Sequence, residues 1–148
     1  MPFFICPNCK ERSIDHDGRE GLTRQAVSCQ RCGFGFLFEL LDDYYPAPTT
    51  GFVVCDQNAR ILATGRGVFE LSGYSEGELL GADVVEGFAL SGFEENRNPV
   101  SLVLEWGVRG LGERLELRTR AGTHKRIVAD FFPAYDSDGG LLVALTPD

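Results

Sequence analysis

The sequence predicts an α+β chain in two units. A small metal-clamped segment precedes a larger domain, in which a five-stranded antiparallel sheet carries short helices on one side. Three features predict this. Two Cys-x-x-Cys pairs, Cys6/Cys9 and Cys29/Cys32, lie close to the N-terminus. A proline-interrupted stretch, Asp42 to Gly51, follows them, and its Pro46-Ala47-Pro48 favours extended, unpaired backbone. From Phe52 onward the apolar residues order the chain as two strands, several short helices and three strands. The expected units are residues 1–41, a linker at 42–51 and a domain at 52–148.

Composition sets the limits. With 43% hydrophobic and 24% charged residues, the chain can fill a core and is not a disordered tail. The formal charge of −8 divides into −2 for residues 1–45 and −6 for the remainder, so neither part offers the basic surface that drives non-specific phosphate binding. No apolar run approaches the roughly 18–20 residues that span a bilayer. The opening Met1-Pro2-Phe3-Phe4-Ile5-Cys6 lacks the cationic start of a secretion signal. Paired cysteines without such a signal point to metal in a reducing compartment rather than disulfides, and the expected location is the cytoplasm.

The metal reading rests on spacing. Two residues between thiolates let a tight turn aim both sulfurs at one ion, and Gly33 suits the left-handed backbone such a turn often needs. Cys6, Cys9, Cys29 and Cys32 together close a tetrahedral Zn²⁺ shell with no open position, so the site is structural. A unit this short cannot bury enough apolar area to fold alone, and metal binding worth on the order of 10 kcal/mol makes up the deficit. Over residues 3–38 the pattern resembles zinc ribbons. Iron, held by similar knuckles in rubredoxins, is the alternative metal; a thioredoxin-like redox pair needs a βαβ context that is absent. The fifth cysteine, Cys55, falls on an expected core strand as a small hydrophobe. Arg12, Arg19, Arg24 and Arg31 are offset by Glu11, Asp15, Asp17 and Glu20, and His16 reads as a surface residue.

Within the larger domain each element carries its own signal. Phe52–Cys55 and Arg60–Ala63 flank the polar turn Asp56-Gln57-Asn58-Ala59 as a hairpin. Ser75 with Glu78 makes a capping-box pattern, closed by Gly81. Asn98-Pro99 starts a helix whose Val100, Val103, Leu104 and Val108 share an apolar face. Leu115, Leu117 and Thr119 alternate with charged residues as a strand with one wet face. After the turn at Ala121-Gly122, Ile127, Ala129 and Phe131 share a face; Asp136–Gly140 turns the chain into a last strand, Leu141–Leu145.

These residues resemble the PAS family over positions 50–146: the hairpin, Gly73-Tyr74, Ser75-Glu76-Gly77-Glu78-Leu79-Leu80-Gly81, the Gly122 turn and the Asp136–Gly139 turn. One departure stands out: the family often has Asn shortly after the second strand, where this chain has Gly65. The resemblance implies a sensor, dimerisation or partner-binding module. No Asn-Cys-Arg-Phe stretch is present for light-sensing flavin chemistry, and no His lies on the helix from Pro99, so haem and flavin are not expected; His124 falls at a hairpin and should face solvent. A small apolar ligand would lie between sheet and helices, lined by Phe69, Tyr74, Phe88, Val103, Leu117, Ile127 and Phe131, with Trp106 at its edge, unless those side chains simply fill the core.

Catalytic signatures are missing: there is no G-x-S-x-G, P-loop, HExxH or nucleotide-binding glycine pattern. The expected function is a non-enzymatic signalling or regulatory protein. Its PAS-like domain senses a ligand or forms a homodimer, and its ribbon docks a protein partner. The alternatives are a transcription regulator whose ribbon reads nucleic acid and a ligand-binding storage or transport module.

Overall fold

The structure, a computed structural model, describes residues 3–6, 8–9, 12–13, 38–40, 46–93, 98–133 and 140–148. Three short strands, β1 (Phe3–Ile5), β2 (Arg12–Ser13) and β3 (Phe38–Leu40), form an antiparallel sheet in the order β2-β1-β3. Next come β4 (Gly51–Cys55), β5 (Ile61–Thr64), α1 (Val68–Ser72), α2 (Glu76–Leu79), α3 (Val84–Gly87) and α4 (Pro99–Trp106). Three longer strands finish the chain: β6 (Gly110–Arg118), β7 (His124–Pro133) and β8 (Leu141–Pro147). The larger sheet runs β5-β4-β8-β7-β6, every pair antiparallel, so the last strand inserts beside the first. This is the expected five-stranded sheet with short helices. At the entry to the sheet, Gly51 belongs to β4, and buried Thr50 shares a 2.8 Å hydroxyl hydrogen bond with Thr146.

Local chemistry accounts for the turns and helix starts. The Asp56 carboxylate accepts from the backbone N–H of Asn58 (2.8 Å) and Arg60 (3.0 Å), folding the β4–β5 turn. The capping box at α2 forms as the sequence predicts, with Glu78 Oε1 accepting from the Ser75 N–H at 3.0 Å. Asp83 caps α3 by accepting from Val85 and Glu86, and Asn98 caps α4 by accepting from Val100, with Pro99 in the first turn. The helix α4 stops sooner than its apolar spacing suggests. Gly107 takes a left-handed conformation (φ 67°) after Trp106, so Val108 lies outside the helix and is exposed rather than on its buried face.

Glu78 also receives the Arg120 side chain at 2.7 Å, from the turn between β6 and β7. That hydrogen bond and the one from the Ser75 backbone hold its carboxyl below the usual glutamate range. A lowered folded value means that this stabilisation is present above the ordinary glutamate pKa and is lost as pH falls through the folded one. Glu78→Gln is therefore expected to lower Tm at neutral pH and to match the parent chain at strongly acid pH. Thermal melts across pH check this; a constant difference at every pH would contradict it.

The helices lie on one side of the sheet, as the sequence predicts, and the strands β4 and β8 are buried on their other face as well. On the inner face Val53, Cys55, Leu115, Leu117, Ile127, Ala129, Phe131, Leu141, Val143 and Leu145 join Val68, Leu71, Leu79, Val84, Phe88, Val100 and Val103 of the helices in one core. Strand pairing puts a different set on the second face. Ala63 lies opposite Val54, Val54 opposite Leu142, and Leu142 opposite Phe132, while Phe52 lies opposite Ala144. All six are buried, and none belongs to the helix-side core. The edge strands alternate: in β6 Arg114, Glu116 and Arg118 are exposed around buried Leu115 and Leu117, and in β5 Leu62 is exposed between buried Ile61 and Ala63. β4 and β8 read instead as continuous apolar runs, the pattern of strands covered above and below. Burying Phe52, Val54, Phe132 and Leu142 contributes about 1.5–3 kcal/mol each.

Candidate functional site

Two regions carry the chemistry that the sequence singles out. The first is the knuckle after β1. Cys6 follows the last residue of β1 and is buried; Asn8 and Cys9 form the turn beyond it and are half-buried. Cys29, Cys32 and His16 lie outside the described residues. Two of the four expected ligands are therefore described, and among the described residues no third His, Cys, Asp or Glu joins them. The two thiols, one at the end of β1 and one in the turn beyond it, are of the chemistry that suits a thiophilic ion such as Zn²⁺, and β1 lies between β2 and β3.

The knuckle touches the larger domain. Asn8 Oδ1 accepts from the Arg66 backbone N–H at 3.1 Å, in the corner between β5 and α1. That corner is the one where the sequence lacks the usual asparagine. Gly65 N–H donates to Phe52 O (2.8 Å) and Gly65 O accepts from Val68 N–H (3.4 Å), backbone hydrogen bonds that hold the glycine without a side chain of its own. An asparagine side chain does reach the corner, but from the N-terminal unit. Around the contact opens a cleft of about 840 Å³, bordered by Cys9, Pro48, Arg66, Glu70 and Lys125 among others. Lys125 Nζ donates to Leu71 O at the end of α1 (3.2 Å). Nothing in the sequence pattern announced this cleft, because Asn8, Arg66 and Lys125 meet only through the tertiary fold.

The second region is the space between sheet and helices. Phe88, Val103, Leu117, Ile127 and Phe131 converge there as the sequence predicts, all within the buried core. Tyr74 packs at its margin, its ring edge-on to Phe88 with centroids 6.3 Å apart. Phe69 does not line this space. It sits on the outer side of α1 and is 61% exposed, because a five-residue helix has one buried stripe and Val68, Leu71 and Ser72 occupy it. Trp106 is likewise outside, 74% exposed, with Val108 and Leu111 exposed nearby in sequence. Cys55 is the buried small hydrophobe expected: burial first, then the negative charges of Asp56 and Asp83, push its thiol pKa far above the ordinary value, so it stays protonated. His124 faces solvent at the start of β7, 3.9 Å from the Glu116 carboxylate. Among the described residues no helix is long and apolar enough to cross a membrane.

No family model matches the chain, and no curated protein matches it. Solved structures do. The PAS domain of nitrogen regulation protein NR(II) from Vibrio parahaemolyticus aligns at 13% identity with a TM-score of 0.57, over 68% of this chain and 91% of that one. A PAS domain from Colwellia psychrerythraea aligns at 19% identity and TM-score 0.54, over 68% and 86%. The light-state dimer of the fungal blue-light photoreceptor Vivid aligns at 10% identity and TM-score 0.55, over 73% and 83%. At such identities the likeness speaks to architecture alone. Taken with the strand order β5-β4-β8-β7-β6 and the helices on the inner face, it establishes that the larger unit of this chain has the PAS fold.

Proposed function

We propose that this chain is a non-enzymatic regulatory protein of the cytoplasm. Its PAS-like domain receives a signal, either as a small apolar ligand in the space beside Tyr74 and Phe88 or as association with a second copy. Its N-terminal unit, held by one structural Zn²⁺ on Cys6, Cys9, Cys29 and Cys32, docks a protein partner. The observation that carries the reading is the PAS fold itself, similar to domains of a nitrogen regulation protein and of a blue-light photoreceptor. The exposed Trp106, Val108 and Leu111 support association, since large apolar side chains left in water on one stretch favour a partner surface. Neither haem nor covalent flavin chemistry is part of the proposal. His124 lies on the solvent side of β7, and Cys55 is a protonated thiol on a central strand. When bound, a four-thiolate Zn²⁺ supplies folding free energy rather than reactivity, because its shell is closed.

The test is elemental analysis and native mass spectrometry on one purified sample. The expected result is one zinc per chain together with a dimer, or a monomer that retains a small apolar molecule. A metal-free monomer with nothing bound would overturn the proposal.

A further inference from the structure

The second face of the five-stranded sheet needs a cover, and the described residues of the larger domain do not provide one. In a single chain with no partner present, Phe52, Leu142 and Ala144 are 0% exposed and Val54 and Phe132 are 1% exposed. The four helices all pack on the opposite face: Val68, Leu71, Leu79, Val84, Val100 and Val103 belong to the inner core. What shields the second face therefore comes from elsewhere in this chain. Residues 94–97 read Glu-Glu-Asn-Arg and supply no apolar surface, and residues 134–139, which join the adjacent strands β7 and β8, read Ala-Tyr-Asp-Ser-Asp-Gly, with Tyr135 as their one large ring. The N-terminal stretch is different. It holds Phe3, Phe4, Ile5, Phe34, Phe36, Leu37, Phe38, Leu40 and Leu41, and it contains the β1–β3 sheet. It is also already tied to the larger domain, through Asn8 and the Arg66 N–H. The connecting residues 46–50 end at Thr50, beside the first residue of β4 and in hydrogen-bond contact with Thr146 of β8.

We infer that the second face of the sheet, centred on Phe52, Val54, Phe132, Leu142 and Ala144, is an intramolecular docking surface whose occupant is the N-terminal unit of the same chain, and that loss of metal from that unit releases it. The docking half stands on burial and strand register alone. The release half rests on the zinc reading proposed above. A unit whose fold depends on bound metal presents a shaped apolar surface only while the metal is held, so chelation uncovers the sheet face for another partner. Metal loss would then be a signal that the PAS-like domain carries outward through its sheet.

The experiment uses the full chain with a protease recognition sequence inserted between Pro48 and Thr49, both exposed. The purified protein is assayed for zinc, cleaved, and run on size exclusion with and without prior chelation. Co-elution of the two fragments before chelation and separation after it is the expected result. Separation while zinc remains bound would overturn the docking. Co-elution after the zinc has been stripped would overturn the release. If the purified chain holds no metal, the zinc reading fails, and co-elution of the fragments still decides the docking half by itself. Ala144→Arg places a long cation on the docking face without entering the inner core; it is expected to separate the fragments with zinc still bound, and continued co-elution would count against this face. Should that variant not fold, Phe132→Ser, nearer the sheet edge, is read in the same way, and the parent-chain result stands without either.

Discussion

Phe131→Ala is expected to lower the stability of the chain by about 3–5 kcal/mol. Phe131 is fully buried on β7, directly opposite Gly110 of β6 on one side and Val143 of β8 on the other. Its ring lies over Gly110, where an added Cβ would come within 3.7 Å of Phe131 Cδ2 and 3.4 Å of Pro99 Cβ. The ring thus fills the gap between the sheet and the first turn of α4. Truncation removes the ring's transfer free energy and leaves a cavity that β6, β7 and β8 cannot close without breaking ladder hydrogen bonds. Against a total stability of about 5–15 kcal/mol, this is a large fraction. Urea denaturation provides the measurement: the midpoint should fall with little change in slope. Phe131→Leu should recover much of the loss, and a cost below about 1 kcal/mol for the alanine variant would mean that the site collapses and the ring is not the wedge described.

Gly51→Ala is expected to cost about 1–3 kcal/mol, although it adds one methyl group. A Cβ at Gly51 would sit 2.8 Å from Val68 N, 2.9 Å from Val68 Cγ2 and 3.0 Å from the Gly67 carbonyl carbon. Two of those atoms are backbone, so relief requires moving the N-terminus of α1 off β4 rather than rotating a side chain. Gly67 itself has φ 104° and lies against the Thr50 carbonyl oxygen, which leaves the helix start little freedom to move. The neighbouring Arg66 N–H is the donor to Asn8, so the same displacement should loosen the contact with the N-terminal knuckle. Gly77→Ala is the control: nothing lies within 4 Å of its Cβ position, it sits inside α2, and the change should be stabilising by up to about 1 kcal/mol. Equal behaviour of the two variants in denaturation and in hydrogen exchange of α1 would refute the close-approach account.

Much of the fold was legible because its signals are local. The Ser75–Glu78 box, the Asn98-Pro99 start and the Asp56 turn each depend on atoms a few residues apart, and each forms where the sequence puts it. The inner-face residues Leu115, Leu117, Ile127, Ala129 and Phe131 were readable for the same reason, since period-two spacing is carried by a single strand. Legibility failed where the answer depends on a partner element. Val108 fits a helical stripe, but Gly107 in a left-handed conformation ends the helix first. Phe69 is an aromatic on a short helix, and only the docking of α1 through Val68 and Leu71 decides that it points outward. The candidate site divides in the same way. The four cysteines stand out by spacing, whereas the meeting of Asn8 with Arg66 joins residues far apart in the chain.

By itself, then, the sequence determined the strand and helix order, the caps, the turns and the thiol pattern, because each is a short-range preference of a few residues. Tertiary structure alone decided that β8 lies between β4 and β7, that these inner strands β4 and β8 are buried on both faces, and that the first knuckle rests on the corner before α1. The physical reason is pairing. A strand's own alternation says which residues share a face, but whether a face meets water or another layer depends on which distant segment comes to cover it.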